Sequence, residues 1–218
     1  MKDESIIRIR QFFFSIMSHK IYDFGLYRFV STYIWKYDSQ KIIKSYKQNV
    51  SNNHLEIGVG TGYLIKNSIE PRESLTLTLM DLNESCLKKS AIELISYSPY
   101  QIKQNILEPF ANTKNTYDSI GMNYVLHCVQ GDFKSKGIVF DHVYSALSDG
   151  GVFFGATILT EGVNNSFSAK ILIYILNMLC IFSNNKDSFK DFSDSLNKQF
   201  MNVEINKSGS VVYWKAQK

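Results

Sequence analysis

The stretch that most constrains this 218-residue chain is His54-Leu55-Glu56-Ile57-Gly58-Val59-Gly60-Thr61-Gly62-Tyr63-Leu64. It reads as a short buried strand, a glycine turn and the start of a helix. Glycines at alternate positions, Gly58, Gly60 and Gly62, leave one side of the loop without Cβ atoms, so a ligand can lie directly on backbone. The amides that open the following helix then face this ligand and favour its negative end. The bland alternative is a glycine-rich turn that holds nothing.

A dinucleotide fingerprint also places glycines after a strand, but it needs its third glycine at position 63, which is tyrosine here. Glu56, two positions before the first glycine, would repel a pyrophosphate and suits a ligand with an ammonium group. S-adenosylmethionine (SAM) fits, with an amino group, a sulfonium and no phosphate. The stretch resembles the first motif of the class I SAM-dependent methyltransferases, apolar-apolar-acidic-x-Gly-x-Gly-x-Gly. The resemblance implies an α/β, Rossmann-like fold: a seven-stranded, mostly parallel sheet with an antiparallel C-terminal hairpin, plus an N-terminal helical lid. It also implies SAM as cofactor, S-adenosylhomocysteine (SAH) as product and no metal. Glu56, Gly58, Gly60 and Gly62 become cofactor contacts.

Further motifs follow in the order this family uses. Leu75 to Met80 has strand-type content and closes on Asp81-Leu82-Asn83. A carboxylate ending the second strand can accept from both ribose hydroxyls, so Asp81, with Leu82 beside it, is assigned to the cofactor. An N-cap for the helix Glu84 to Tyr97 is the structural alternative for Asp81. The third strand, Gln101 to Leu107, would end in the adenine-gripping pair Asn105 and Ile106, unless Asn105 is a plain turn residue. Tyr117-Asp118-Ser119-Ile120 then opens a strand that resembles the fourth motif, with Asn123 and Tyr124 at its carboxyl end near the sulfonium. Asn123 is not followed by the Pro-Pro-aromatic sequence of nucleic-acid amino-methylases, which counts against a nucleic-acid substrate. After a helix from Lys134 to Leu147, Asp149-Gly150-Gly151 turns into strand five. Strands at Asn202 to Lys207 and Val211 to Ala216, joined by Ser208-Gly209-Ser210, suit the terminal hairpin.

Residues 1–46 read as a helical lid segment, aromatic-rich and with apolar positions at three- and four-residue spacing from Ile6 onward. Residues 47–218 read as the SAM-binding domain, with a helical cap insertion at about 160–190. His19 to Asp23 resembles the "xYD" start of such lids, which puts Tyr22 on the cofactor; packing in the core is its alternative. Three distant cysteines give neither a disulfide framework nor zinc spacing and suit a reducing compartment. No basic n-region opens the chain, and Ala169 to Phe182 is short for a bilayer span, so a cytoplasmic location without stable membrane insertion is expected. A net charge of +4 is spread over interspersed 24 basic and 20 acidic residues, a weak signal for nucleic acid. The sequence leaves a homodimer open.

Methyl transfer from a sulfonium needs mainly alignment and exclusion of water. A base is required only when the acceptor must lose a proton. His127, three to four residues past Asn123, is the candidate catalytic residue if both share a helix face; packing within the sheet is its alternative. His19 and Thr157 could also face the substrate, whereas His142 reads as mid-helix surface. The expected function is methylation of an O, N, S or C atom of a small molecule, a secondary metabolite in character. A non-catalytic SAM-fold subunit and an NAD(P)-dependent oxidoreductase are the competing readings.

Overall fold

The computed structural model describes residues 25–111 and 113–218. A seven-stranded sheet runs through it in the order β3-β2-β1-β4-β5-β7-β6. Its strands are β1 (Asn53–Ile57), β2 (Thr76–Asp81), β3 (Tyr100–Lys103), β4 (Tyr117–Asn123), β5 (Leu147–Ile158), β6 (Asn202–Ser208) and β7 (Val211–Gln217). Strands β1 to β5 are parallel. β7 runs antiparallel to both β5 and β6, which gives the expected hairpin. A π-helical segment (Gly25–Ile34) precedes α1 (Gln40–Asn49), and α2 (Tyr63–Ser68), α3 (Glu84–Glu93), α4 (Phe133–Lys136), α5 (Ile138–Ala146), α6 (Phe167–Met178) and α7 (Phe189–Gln199) follow.

Covering a parallel sheet on both faces demands strands that are buried on both faces. β1 meets this demand, being buried from His54 to Ile57. Leu55 and Ile57 join the core of α5 and α7, with Phe140, Phe153, Phe192 and Trp214. His54 and Glu56 alternate to the opposite face, the layer of Tyr46, Leu77, Leu79, Phe154 and Ala156. Tyr46 of α1 meets Phe154 edge-on there, with ring centroids 5.2 Å apart.

Several expected boundaries shift, each for a local reason. The helix expected over Lys134 to Leu147 breaks at Gly137 into α4 and α5. Lys136 is fully buried at the break and pairs with Asp187 at 2.5 Å. The helix expected from Glu84 to Tyr97 stops at Glu93, and a 3-10 turn carries the chain to Tyr97 before Ser98 enters the left-handed region at φ 47°. β3 ends at Lys103, so Asn105 and Ile106 lie beyond the strand. β5 starts at Leu147 rather than Val152, because the Ser148 to Gly151 turn is carried as a register shift against β4. Asn177 stitches α6 instead of interrupting it: its Nδ2 donates to Ile173 O and to Asn184 Oδ1. His142 is half-buried, not on the surface, and its Nδ1 lies 3.0 Å from Ile106 O. No helix among the described residues is long and apolar enough to cross a membrane.

Candidate active site

The carboxyl ends of β1 to β5 share one rim, and β1 lies between β2 and β4, where the strand order reverses. Open parallel sheets bind ligands at this point. Gly58, Gly60 and Gly62 all take positive φ, at 71°, 56° and 81°. Their reasons differ. A Cβ at Gly58 would lie 2.2 Å from Val125 Cγ2, so packing requires this glycine. A Cβ at Gly60 would meet nothing within 4 Å, so the backbone there faces open space.

Asp81 ends β2 beside that space. Its Oδ1 accepts from Asn83 N at 2.8 Å, and the backbone N–H groups of Gly60 and Leu82 also donate to the carboxylate. Burial nevertheless pushes its pKa up to about 6, against the pull of these donors. Asn83, not Asp81, caps α3, with its side chain accepting from Ser85 N. The N-cap alternative for Asp81 therefore falls away. Leu82 is exposed just past it.

Asn105 forms a local turn, with Oδ1 accepting from Leu107 N at 3.1 Å and Nδ2 donating to Glu108 Oε1 at 3.3 Å. Ile106 is packed into the core at the foot of that turn. Glu56 faces the interior and is 2% exposed. Its Oε1 accepts from Tyr46 OH at 2.5 Å, and its Oε2 lies 3.3 Å from His54 Nε2. Asn123 Nδ2 donates to the same Tyr46 oxygen at 3.0 Å. The sequence reading missed Tyr46 and His54. Only the alternation of His54 with Glu56 in β1 hinted that they share a face.

Tyr124 leaves β4 at φ 59°. A non-glycine residue in that region costs on the order of 1–2 kcal/mol, and such strain clusters at functional sites. Its phenol, 3.4 Å from Ser31 Oγ, is pushed by burial up to about 12. The turn at Tyr124 also changes how His127 is placed. His127 stands in a short 3-10 turn, Leu126–Cys128, and not one α-helical turn beyond Asn123. Its Nδ1 accepts from Ile158 N at 3.4 Å and lies 3.3 Å from Thr157 Oγ1. Phe182 packs on the ring, 4.3 Å between centroids. Burial first, and the Lys136 ammonium second, push the imidazole pKa down to about 3. The ring is thus neutral, with its hydrogen on Nε2, which meets no partner among the described residues. Tyr22 and His19 lie outside the described residues. Among those residues, no three His, Cys, Asp or Glu side chains group as a metal site.

Residues 55–153, β1 through most of β5, match the family model described as a methyltransferase domain. A demethylluteothin O-methyltransferase of Streptomyces thioluteus is 36% identical over 196 residues, which cover 90% of this chain and 85% of that protein. The chain belongs to the class I SAM-dependent methyltransferases. A second methyltransferase, the physcion biosynthesis cluster O-methyltransferase of Aspergillus chevalieri, is 31% identical over 91% of this chain and 90% of its own length. Among solved structures, a SAM-dependent methyltransferase of Thermotoga maritima superposes with a TM-score of 0.66 at 13% identity, over 96% of this chain and 99% of that one. At that identity the likeness concerns the methyltransferase fold alone.

Proposed function

We propose that this chain methylates an acidic hydroxyl, phenolic or enolic, of a small secondary-metabolite-type molecule, with SAM as donor. The observation that carries the cofactor assignment is the open backbone at Gly60 beside the Asp81 carboxylate, at the point where the strand order reverses. The residues fit the group. Asp81 would hold the ribose, and Gly58, Gly60 and Gly62 would seat the amino-acid tail. Leu82, exposed just past Asp81, would face an adenine, with Asn105 and Ile106 in the turn after β3 beneath it, and Asn123 and Tyr124 would lie nearer the sulfonium. When bound, SAM supplies a methyl group on a sulfonium, an excellent leaving group. The protein then has to align, to dry and to orient.

His127 bears on the acceptor. An imidazole whose pKa is near 3 is a poor base at neutral pH, and its Nδ1 already accepts from Ile158. Its Nε2–H can donate to an oxygen that ionises by itself, and this orients an acidic hydroxyl better than an aliphatic alcohol. The relatives from Streptomyces thioluteus and Aspergillus chevalieri are O-methyltransferases by name, which supports oxygen as the acceptor atom. In this reading the segment around 160–190 caps the pocket, whereas Tyr46 of α1, buried against Phe154, makes the end of the expected 1–46 lid part of the core. The chain works in the cytoplasm, which its dispersed cysteines suit. The test is a panel of phenols, enols, aliphatic alcohols and amines with radiolabelled SAM. Transfer to phenols or enols is expected, and transfer to amines or alcohols alone would reject the acceptor assignment.

A further inference from the structure

Five buried side chains form one hydrogen-bonded line beneath the rim, and the direction of each bond follows from its ends. Ser51 N donates to Ser119 Oγ at 2.9 Å, and a main-chain N–H can only donate. Ser119 Oγ lies 2.8 Å from His54 Nδ1. Glu56 can only accept, so with one hydrogen on its ring His54 carries it on Nε2, gives it to Glu56 Oε2 at 3.3 Å, and takes the serine hydrogen on Nδ1. A carboxylate accepts, so from the other side Tyr46 OH must donate to Oε1, at 2.5 Å. The phenol oxygen is left to accept, and it takes Asn123 Nδ2 at 3.0 Å. Hydrogen bonds thus converge on Glu56 from both ends, and the Asn123 amide is turned with its nitrogen inward. The sheet makes room for this line: a Cβ at Gly121 would sit 2.5 Å from Glu56 Oε2.

Tyr46, His54, Glu56 and Ser119 are at most 2% exposed, so Asn123, at 6%, is the member nearest the rim. Its Oδ1 meets no donor among the described residues. Ile57 and Met122 are register partners, and the residues that follow them are Gly58, first of the glycine loop, and Asn123. We propose that Tyr46 and His54 are positioning residues that act through Glu56 to hold the Asn123 amide oxygen toward the ammonium of the cofactor's amino-acid tail. Glu56 then serves the ammonium at one remove, its own oxygens being engaged by Tyr46 and His54. The inference rests on the SAM reading above.

Calorimetry with SAH and with 5′-methylthioadenosine separates the two ideas, because the second ligand keeps the adenosine thioether and lacks the ammonium. Tyr46→Phe keeps the ring against His54 and Phe154 and removes only the hydroxyl. This variant and Asn123→Ala should each weaken SAH about 10-fold, the value of one charge-assisted hydrogen bond, and leave methylthioadenosine binding within about two-fold. The double variant should lose no more than either single one, since both break the same line. Equal weakening of both ligands, unchanged SAH affinity, or losses that multiply in the double variant would overturn the inference and leave SAM use standing. Wild-type protein that binds neither ligand would overturn both.

Discussion

Asp81 is under two opposed demands, and pH shows which prevails. Burial favours the protonated carboxyl, and backbone donors favour the ionised one; burial wins, at a pKa of about 6. Ribose hydroxyls bind the ionised form, so SAH affinity should rise through that value. At pH 5 only about one carboxyl in ten is ionised, and calorimetry should show affinity roughly 10-fold weaker than at pH 7.5. Asp81→Asn should bind weakly, with a loss of roughly 10- to 100-fold, and show a flat pH profile. In the unliganded protein the folded state holds a proton that the unfolded state has released, so this residue's contribution to stability falls as pH rises toward 6. His127 has the opposite sign. With its pKa pushed down to about 3, the unfolded chain binds the proton more readily below the usual histidine range. Stability is fully present above about pH 6.5 and is lost as pH falls toward 3. Between pH 6.5 and 5 this amounts to about 2 kcal/mol, and His127→Gln should remove it from urea unfolding curves.

At the scale of elements, the glycine loop is two devices in one. Gly58 is fixed by the approach of Val125 and Gly60 by the space above it. Gly58→Ala should destabilise by roughly 1–3 kcal/mol, from positive φ plus a clash, with part regained in Gly58→Ala/Val125→Ala. Gly60→Ala has room, so urea should report about 1 kcal/mol while calorimetry with SAH shows the larger loss. The loop, the parallel order, the Asp81 strand end and the terminal hairpin were legible in the sequence because each is written locally, as alternation, glycine spacing or turn chemistry. The break at Gly137 was not, since a helical pattern runs through it and the buried partner of Lys136 at the break, Asp187, lies far along the chain. Nor was the inward turn of Glu56, because its partners Tyr46 and His54 carry no local signal of the bonds they make to it. Asn105 holds its family position within a turn that its own hydrogen bonds form, which the sequence left open.

Across the whole molecule, the Lys136–Asp187 pair ties together three segments that meet at His127. Both side chains are fully buried. Lys136 Nζ also donates to Leu126 O at 3.1 Å, at the start of the turn that carries His127. The Asp187 carbonyl accepts from Thr160 N and Glu161 N, just past the end of β5, and Ser183 N donates to His127 O at 2.7 Å. Burial pushes the Lys136 pKa down and that of Asp187 up to about 6, while the charge of each pulls the other's pKa back toward its usual range. Removing one partner strands a buried charge, and Lys136→Met should cost about 3–5 kcal/mol in urea unfolding. Replacing both by apolar residues leaves no charge behind, so Lys136→Met/Asp187→Leu should recover most of that loss. The double variant separates stability from geometry. If the pair only holds the fold together, the repaired protein keeps the wild-type rate with its acceptor. If it sets the register of the His127 turn against the segment after β5, the repaired protein binds SAH normally and turns over more slowly.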